Sequence, residues 1–454
     1  MKSNKTIAIV LAAGLGARMN SVHPKVMHQI AGRPMIKLLI SSILAAGIDK
    51  IVVVIGRNMK ELIKEVHPHR TVIQDSPLGT GHAALKAIQT LGELDENILI
   101  LNGDNPMVSA DTIQKLTKSL DAQTATKLAV LGFISNNPAA YGRMILDSKG
   151  NLQRIVETRD ANEEELKIKL CSAGIMLINA SVGTDLLKNI KNNNSQKEYY
   201  LSDIIKIAQS RGIRCITIKG TEQELLGINS RAELAQAELA MQENLRNKAM
   251  ANGVTLIDAK TVWFSWDTKL GQDITIDPNV YFGTNVVIED QVHIKSFCHI
   301  EGAKIASGGV IGPFARLRPE TIIKENVHIG NFVEVKNSVL KSSSKANHLA
   351  YIGDASVGVN ANIGAGTITC NYNGFFKSQT HIGDNAFIGS NTALVAPLKI
   401  GAGTIIGAGS VISQNIEPNS LALTRPSLKK IKNGAQRQRK LLNSNPKKSS
   451  KEKT

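Results

Sequence analysis

Aromatic residues make up only 4% of this 454-residue chain, with nine Phe, six Tyr and two Trp. That scarcity excludes cores built round large rings and favours thin layers of aliphatic side chains. Cysteine is also rare. Cys171, Cys215, Cys298 and Cys370 form no CxxC pair and show no metal-ligand spacing, so a disulfide framework is excluded and reduced thiols in a cytoplasmic protein are expected. No stretch reaches the roughly 18 apolar residues that a membrane span needs. Lys2 and Lys5 before Ile7–Ala13 imitate a signal peptide, but the apolar run is short and Gly14-Leu15-Gly16-Ala17-Arg18 follows it; a buried first strand is expected instead. Acids are outnumbered, 38 against 54 Lys and Arg, for a net charge of +16. Residues 426–454 hold ten of those cations and one acid, hence +9, and leave +7 for the rest. With Ser, Asn and Gln between its charges and no aromatic, this segment reads as a basic disordered tail, and no nucleic-acid partner is expected.

What the chain does have is a period. An aliphatic residue returns about every six positions through Ile276, Phe282, Ile288, Ile294 and Ile300, then Ile305, Ile311, Leu317, Ile323, Ile329 and Val335. A second run takes in Ile382, Ile388, Leu394, Ile400, Ile406 and Ile412. Neither a helix nor a single strand returns every six residues. A β-helix does, because each hexapeptide forms one flat side of a coil and points its aliphatic residue inward. Three sides close a triangular coil, so a left-handed parallel β-helix is expected. The register fails across Lys336–Tyr351 and again across Thr369–Lys377. Both segments are expected to be loops leaving a rigid scaffold, where function concentrates.

The N-terminal half alternates strand and helix. Thr6–Leu11, Ile51–Ile55 and Asn97–Leu101 read as buried parallel strands, and Pro34–Ala46 and Gly81–Leu91 as helices. That pattern predicts a doubly wound α/β sheet, with ligands beyond the carboxyl ends of its strands. The first such end, Leu11-Ala12-Ala13-Gly14-Leu15-Gly16-Ala17-Arg18, combines glycines suited to phosphate approach with a forked cation, and Lys25 is near enough to join it. Gln74 to His82 follows a second strand with amide and hydroxyl groups that could read a base edge. Asn102-Gly103-Asp104 follows a third and places a carboxylate where a hard cation would sit. Residues 230–252 lack glycine and proline, which predicts one linker helix on the order of 30 Å long, although a helix packed on the sheet fits the same residues.

LAAG-x-G-x-R-M, PK, GTGHA, GD, YGR and IVE, in that order, resemble the sugar-nucleotide pyrophosphorylases. Joined to the hexapeptide region and to Gly364-Ala365-Gly366-Thr367-Ile368-Thr369-Cys370-Asn371-Tyr372, they resemble the bifunctional bacterial N-acetylglucosamine-1-phosphate uridyltransferase/glucosamine-1-phosphate acetyltransferases over residues 5–425. The resemblance implies a uridyltransferase domain over 1–229 and an acetyltransferase β-helix over 253–425, on either side of the 230–252 linker helix, and leaves the basic tail 426–454 outside it. It implies a UTP and UDP-sugar site from Leu11, Ala12, Ala13, Gly14, Arg18, Lys25, Gln74, Gly79, Thr80, Asn102, Gly103, Asp104, Gly142, Glu157, Ser172 and Asn229, with Mg²⁺ on Asp104 and Asn229. In the second half it implies His348 as general base. Arg318, Lys336, Tyr351, Asn362 and Lys377 would bind the amino-sugar phosphate, and Ala365, Asn371, Tyr372, Ser390, Ala408 and Arg425 acetyl-CoA. A homotrimer through the β-helix is implied as well. Ala17, Asn102 and Ser172 stand where that family usually has threonine, tyrosine and asparagine. Two other readings remain open on the residues: a single-activity sugar-nucleotide pyrophosphorylase whose β-helix serves assembly or regulation, and a regulatory protein that keeps the nucleotide fold without catalysis.

Overall fold

The computed structural model describes residues 6–92, 94–120, 126–138 and 140–444. The chain divides into two compact units, one of residues 1–270 with 281–286, the other of 271–280 with 287–454.

The first unit is built on a sheet of β1 (Thr6–Ala12), β2 (Lys50–Gly56), β3 (Arg70–Gln74), β4 (Asn97–Asn102), β5 (Thr126–Ile134), β6 (Leu170–Ile178) and β7 (Arg214–Lys219), in the order β7-β5-β6-β4-β1-β2-β3. Its central strands are apolar throughout because both faces are covered. Ala8, Val10, Val53, Ile55, Leu99 and Leu101 point into one core, while Ile7, Ile9, Val52, Val54, Ile98 and Ile100 point into the other. The sheet is not wholly parallel, however. β6 runs antiparallel to both β4 and β5, and its register shifts between Ser172 and Met176. That irregularity contains Gly174 at φ +70° and brings it against Asn102 at the end of β4.

Helix α1 (Met35–Ala45) and helix α2 (Thr80–Leu91) lie within a residue of their expected bounds. Helix α3 (Arg231–Ala251) is capped by Ser230, whose side chain accepts the Glu233 N–H. It is not a free-standing linker. Leu234, Ala237 and Met241 pack on Ile30, Met35, Leu38 and Ile228, and the Gln242 amide makes two hydrogen bonds, 2.7 and 2.8 Å, to the backbone of Phe264. The alternation of apolar and charged residues left this packed arrangement open.

The second unit is a parallel β-helix. Apart from the ends, each strand pairs with the one three places on, which gives three stacked sheets and three sides to a coil. One side runs through His293–Ile294, Val310–Ile311, His328–Asn331, Lys345–His348, Asn362–Ile363, Phe387–Ile388 and Ile405–Ile406. The next runs through His299–Ile300, Arg316–Leu317, Glu334–Lys336, Tyr351–Gly353, Ile368–Cys370 and Ala393–Val395. Three residues after most inward aliphatics the chain turns in the left-handed region, as at Asn279, Asn285, Asn326, Asn360, Asn385 and Asn391. Asparagine tolerates that conformation better than other side chains do. The glycines that directly follow the inward residue act differently. A Cβ on Gly330, Gly383 or Gly401 would lie 1.9 to 2.4 Å from the backbone of the adjacent coil, so they permit coil-to-coil approach.

The first expected interruption is not a loop. Leu340, Ala346 and Ile352 are fully buried and continue the inward stack after Val335. A five-residue step and an alanine in place of isoleucine concealed two coil sides, so His348 stands on a coil strand. The second interruption is a loop, closed by an antiparallel bridge between Tyr372 and Lys377. The tail also differs from expectation over its described part: helix α4 (Gly434–Asn443) forms with no buried residue, and residues 445–454 lie outside the described chain.

Gly330→Ala tests the coil spacing. Its methyl group would meet the Asn347 carbonyl oxygen at 1.9 Å, so the variant should lose about 2 kcal/mol or more of stability in a denaturant titration. Wild-type stability would show that the coils can part at no cost.

Candidate active sites

Two adjoining cavities of about 340 and 390 Å³ lie beyond the carboxyl ends of β1, β3 and β4. One is lined by Leu11, Ala12, Ala13, Gly14, Lys25, Gln74 and Gly79, the other by Arg18, Gly142, Glu157, Ser172 and Asn229, and both by Thr80, Asn102 and Asp104. Gly103 joins the same floor by donating its N–H to the Leu11 carbonyl at 2.8 Å. Every residue expected of the N-terminal site therefore gathers in one place.

Local chemistry explains the gathering. Gly16 sits at φ +74°, and a Cβ there would come within 2.7 Å of the Lys25 side chain. It is Gly16, rather than the unhindered Gly14, that lets the Arg18 turn close on Lys25. Gly79, at φ +106°, leaves no room for a side chain beside the Tyr199 backbone. Gln74 donates to the Gly79 carbonyl at 3.1 Å, and Thr80 accepts the Leu201 N–H at 3.1 Å; both thus shape the loop as well as line the cavity. Asn102 and Ser172 meet at one spot: the Asn102 amide lies where a Gly174 side chain would be, and the Ser172 hydroxyl accepts the Gly174 N–H at 3.2 Å.

The centre of charge is Lys25. Its ammonium is paired with the Asp104 carboxylate and donates to the Asn229 amide oxygen at 2.8 Å, and the Lys25 and Asp104 side chains are both largely buried. Asp104 and Asn229 come from distant parts of the chain but are bound together, since the Ile228 N–H donates to the Asp104 carbonyl at 2.9 Å. Glu233, which sequence reasoning overlooked, accepts the Asn229 N–H at 2.6 Å and lines the cavity. Its signal was the Ser230-Arg231-Ala232-Glu233 capping pattern. Glu157 is held above the usual carboxylate range by burial, against the Ser202 hydroxyl that donates to it at 2.8 Å.

The second cluster lies on one flat side of the β-helix. At one edge stands His348, and its ring Nδ1 is 3.0 Å from the Asn331 amide oxygen. An amide oxygen only accepts, so the ring proton belongs on Nδ1 and Nε2 keeps its lone pair. His348, Ala365, Ser390 and Ala408 each fall two residues after an inward residue of successive coils, paired Ala346 to Ile363, Ile363 to Ile388 and Ile388 to Ile406. They form one column along the edge, with coils roughly 4.8 Å apart. Asn362 is on the same side of the coil as the His348 strand, paired with Lys345, and Arg425 lies against Gly407.

At the opposite edge of that flat side, Arg318, Lys336 and Lys377 converge. Arg318 donates to Glu334 at 2.8 Å, and that bond raises the guanidinium pKa. Lys336 is pushed below the usual lysine range by its hydrogen bond to Lys377, by the charge of Lys377 and then by burial. Tyr351 reaches over Gly353 between the two edges. Asp354 escaped sequence reasoning. It accepts from Asn337 at 2.5 Å and from the buried Asn371 amide, and so orients Asn371, while Tyr372 stays exposed on the loop. A coil corner gave no signal that a carboxylate would be shared this way.

Residues 8–161 match the MobA-like NTP transferase domain, and residues 379–414 match six bacterial transferase hexapeptide repeats. The chain is 49% identical over 437 residues to the bifunctional protein GlmU of Paramagnetospirillum magneticum, with 96% of this chain and 97% of that protein covered. Its counterpart in Zymomonas mobilis is 46% identical over 422 residues, covering 92% and 94%, and that of Sphingopyxis alaskensis is 48% identical over 424 residues, covering 93% and 94%.

Glu157 offers a pH test. A carboxyl group whose folded pKa is raised stabilises the fold while protonated, and that stability is lost as pH rises through the folded pKa. Glu157→Gln should therefore melt higher than wild type near neutral pH, with the gap closing as pH falls through the carboxylate range. Equal melting temperatures at every pH would remove burial as the cause.

Proposed function

The chain belongs to the family of bifunctional GlmU proteins, and from that premise we propose which residues carry each of its two reactions. It is a bifunctional transferase of UDP-N-acetylglucosamine synthesis. Acetyl-CoA N-acetylates glucosamine 1-phosphate in the hexapeptide unit, a left-handed parallel β-helix. UTP then uridylylates N-acetylglucosamine 1-phosphate in the NTP transferase unit and pyrophosphate leaves. The observation that carries the assignment of residues is the presence of two cation-rich clusters, one in each unit.

In acetyl transfer, Arg318, Lys336 and Lys377 bind the sugar phosphate, three cations for one dianion. A dianion would also relieve the repulsion between Lys336 and Lys377. Tyr351 and Asn362 complete the sugar contacts, and Asn371, held by Asp354, positions the amine with Tyr372. The amine nitrogen attacks the thioester carbonyl, His348 Nε2 takes its proton, and the C–S bond breaks to release coenzyme A. The column of Ala365, Ser390 and Ala408, with Arg425, is small and polar enough to seat the coenzyme arm.

In uridylyl transfer, the sugar phosphate oxygen attacks the α-phosphorus of UTP in line with the departing pyrophosphate. An anionic nucleophile needs no general base, so positioning and charge neutralisation do the catalysis. Leu11–Gly14, Gln74, Gly79 and Thr80 hold the nucleotide, while Gly142, Glu157, Ser172 and the Asn102-Gly103 turn face the sugar. Arg18 and Lys25 neutralise phosphate oxygens. Asp104 and Asn229 present two hard oxygens that already converge on one cation, Lys25, and that donor set fits Mg²⁺ completed by substrate phosphates. Among the described residues no group of three or more His, Cys, Asp or Glu could hold a metal. The bound ion would neutralise phosphate charge, and Lys25 would turn from Asp104 to the phosphates.

We place the protein in the cytoplasm as a homotrimer. No helix among the described residues is long and apolar enough to cross a membrane, and hexapeptide prisms have flat sides suited to burial against copies of themselves.

Asp104→Ala should abolish UTP-dependent pyrophosphate release while leaving acetyl transfer within a few-fold of wild type. Loss of both activities in a folded protein would contradict two separate sites.

A further inference from the structure

Gln74 ends β3 and lines the cavity of about 390 Å³, yet only half of its amide is engaged inside the fold. The amide nitrogen has two hydrogens and meets two acceptors, the Gly79 carbonyl at 3.1 Å and the His82 Nδ1, also at 3.1 Å. Turned over, the amide would set its oxygen against the Gly79 carbonyl oxygen, acceptor against acceptor. One orientation is therefore favoured, and in it the oxygen is the free end. Gln74 Oε1 accepts from no described residue and is not sealed from solvent, although the side chain as a whole is buried.

His82 is the third residue of α2 and is not among the residues lining either cavity. Its Nδ1 faces an amide N–H, so that nitrogen holds the lone pair and the ring proton belongs on Nε2. Burial and then the charge of Lys86 hold the imidazole below its usual pKa, against a hydrogen bond to the Ser76 backbone and the charge of Asp75. The intervening turn is braced from outside. Tyr199 accepts the Gly81 N–H and donates its own to the Leu78 carbonyl, both at 2.8 Å, and its ring lies beside the imidazole at a centroid separation of 6.3 Å.

What the free oxygen can read follows from pyrimidine chemistry. An amide oxygen only accepts. Uracil carries a hydrogen on N3, whereas cytosine carries a lone pair there. We propose that His82 is a positioning residue: it holds Gln74 with its oxygen toward the base and so makes the site select uracil over cytosine. This rests on the reading above that Gln74 holds the nucleotide. His82 acts by claiming the second amide hydrogen, which leaves the nitrogen nothing to offer a cytosine. With Gly79 alone, that hydrogen would be unpaired in a buried side chain, and rotation of the amide toward the cavity would relieve it.

The test follows pyrophosphate release by the full-length protein from UTP and from CTP, with N-acetylglucosamine 1-phosphate as acceptor. His82→Leu keeps bulk and removes the hydrogen-bond acceptor. Its KM for UTP should rise about tenfold and its preference for UTP over CTP should fall about tenfold, with kcat for UTP within about threefold of wild type. His82→Asn places a carboxamide oxygen near the position of Nδ1 and should restore most of both. Acetyl transfer by the His82 variants should be unchanged, as evidence of folding. A wild-type preference for UTP in His82→Leu, with that preference lost in Gln74→Ala, would overturn the proposal. Equal loss in His82→Asn and His82→Leu would also overturn it, because the ring would then be filling space rather than accepting. A wild-type preference in Gln74→Ala would instead defeat the nucleotide-holding role of Gln74 beneath it. If His82→Leu does not fold, His82→Ala decides the question by the same ratio.

Discussion

The C-terminal unit depends on one steric requirement: a coil of three flat sides must turn sharply every six residues and still let the next coil approach at strand spacing. Left-handed corners satisfy the first demand, which is why asparagine recurs at Asn279, Asn285, Asn326 and Asn385. Glycine at Gly330, Gly383, Gly389 and Gly401 satisfies the second, since any side chain there would strike the neighbouring coil. Once both are met, the register is fixed over many coils. Residues far apart in sequence then align in columns, and His348 shares one with Ala365, Ser390 and Ala408.

The N-terminal site follows from a different constraint. Strands covered on both faces leave their carboxyl ends as the available places for polar groups, and the loops after β1, β3 and β4 supply most of them. The antiparallel β6 adds Ser172 and Gly174 through its irregular register. Lys25, Asp104 and Asn229 then form a closed charge arrangement. On the proposed assignment, substrate phosphates would compete for that lysine, which couples binding to reorganisation at this point.

Much of this was legible in the residues because it is periodic or local. The six-residue return identified the β-helix, and the strand-end motifs identified the nucleotide cavity. What stayed hidden depended on distance in sequence or on substitution within a pattern. Ala346 fills a core position normally held by a larger aliphatic, so the six-residue signal lapses there while the coil continues. Glu334, Asp354 and Glu233 act through partners set by the fold, and a lone carboxylate in a sequence does not name its partner. The packing of α3 was equally underdetermined, because its apolar residues suit either a spanning helix or a docked one.

The central claim is that each reaction belongs to its own unit and that His348 is the base of only one of them. Its most direct test is His348→Ala, with N-acetylglucosamine 1-phosphate supplied directly to bypass the first reaction and both products followed separately. The account predicts acetyl transfer lowered by about 10²–10⁴-fold with uridylyl transfer unchanged. Acetyl transfer within a few-fold of wild type would contradict it, and would leave the β-helix without its assigned base.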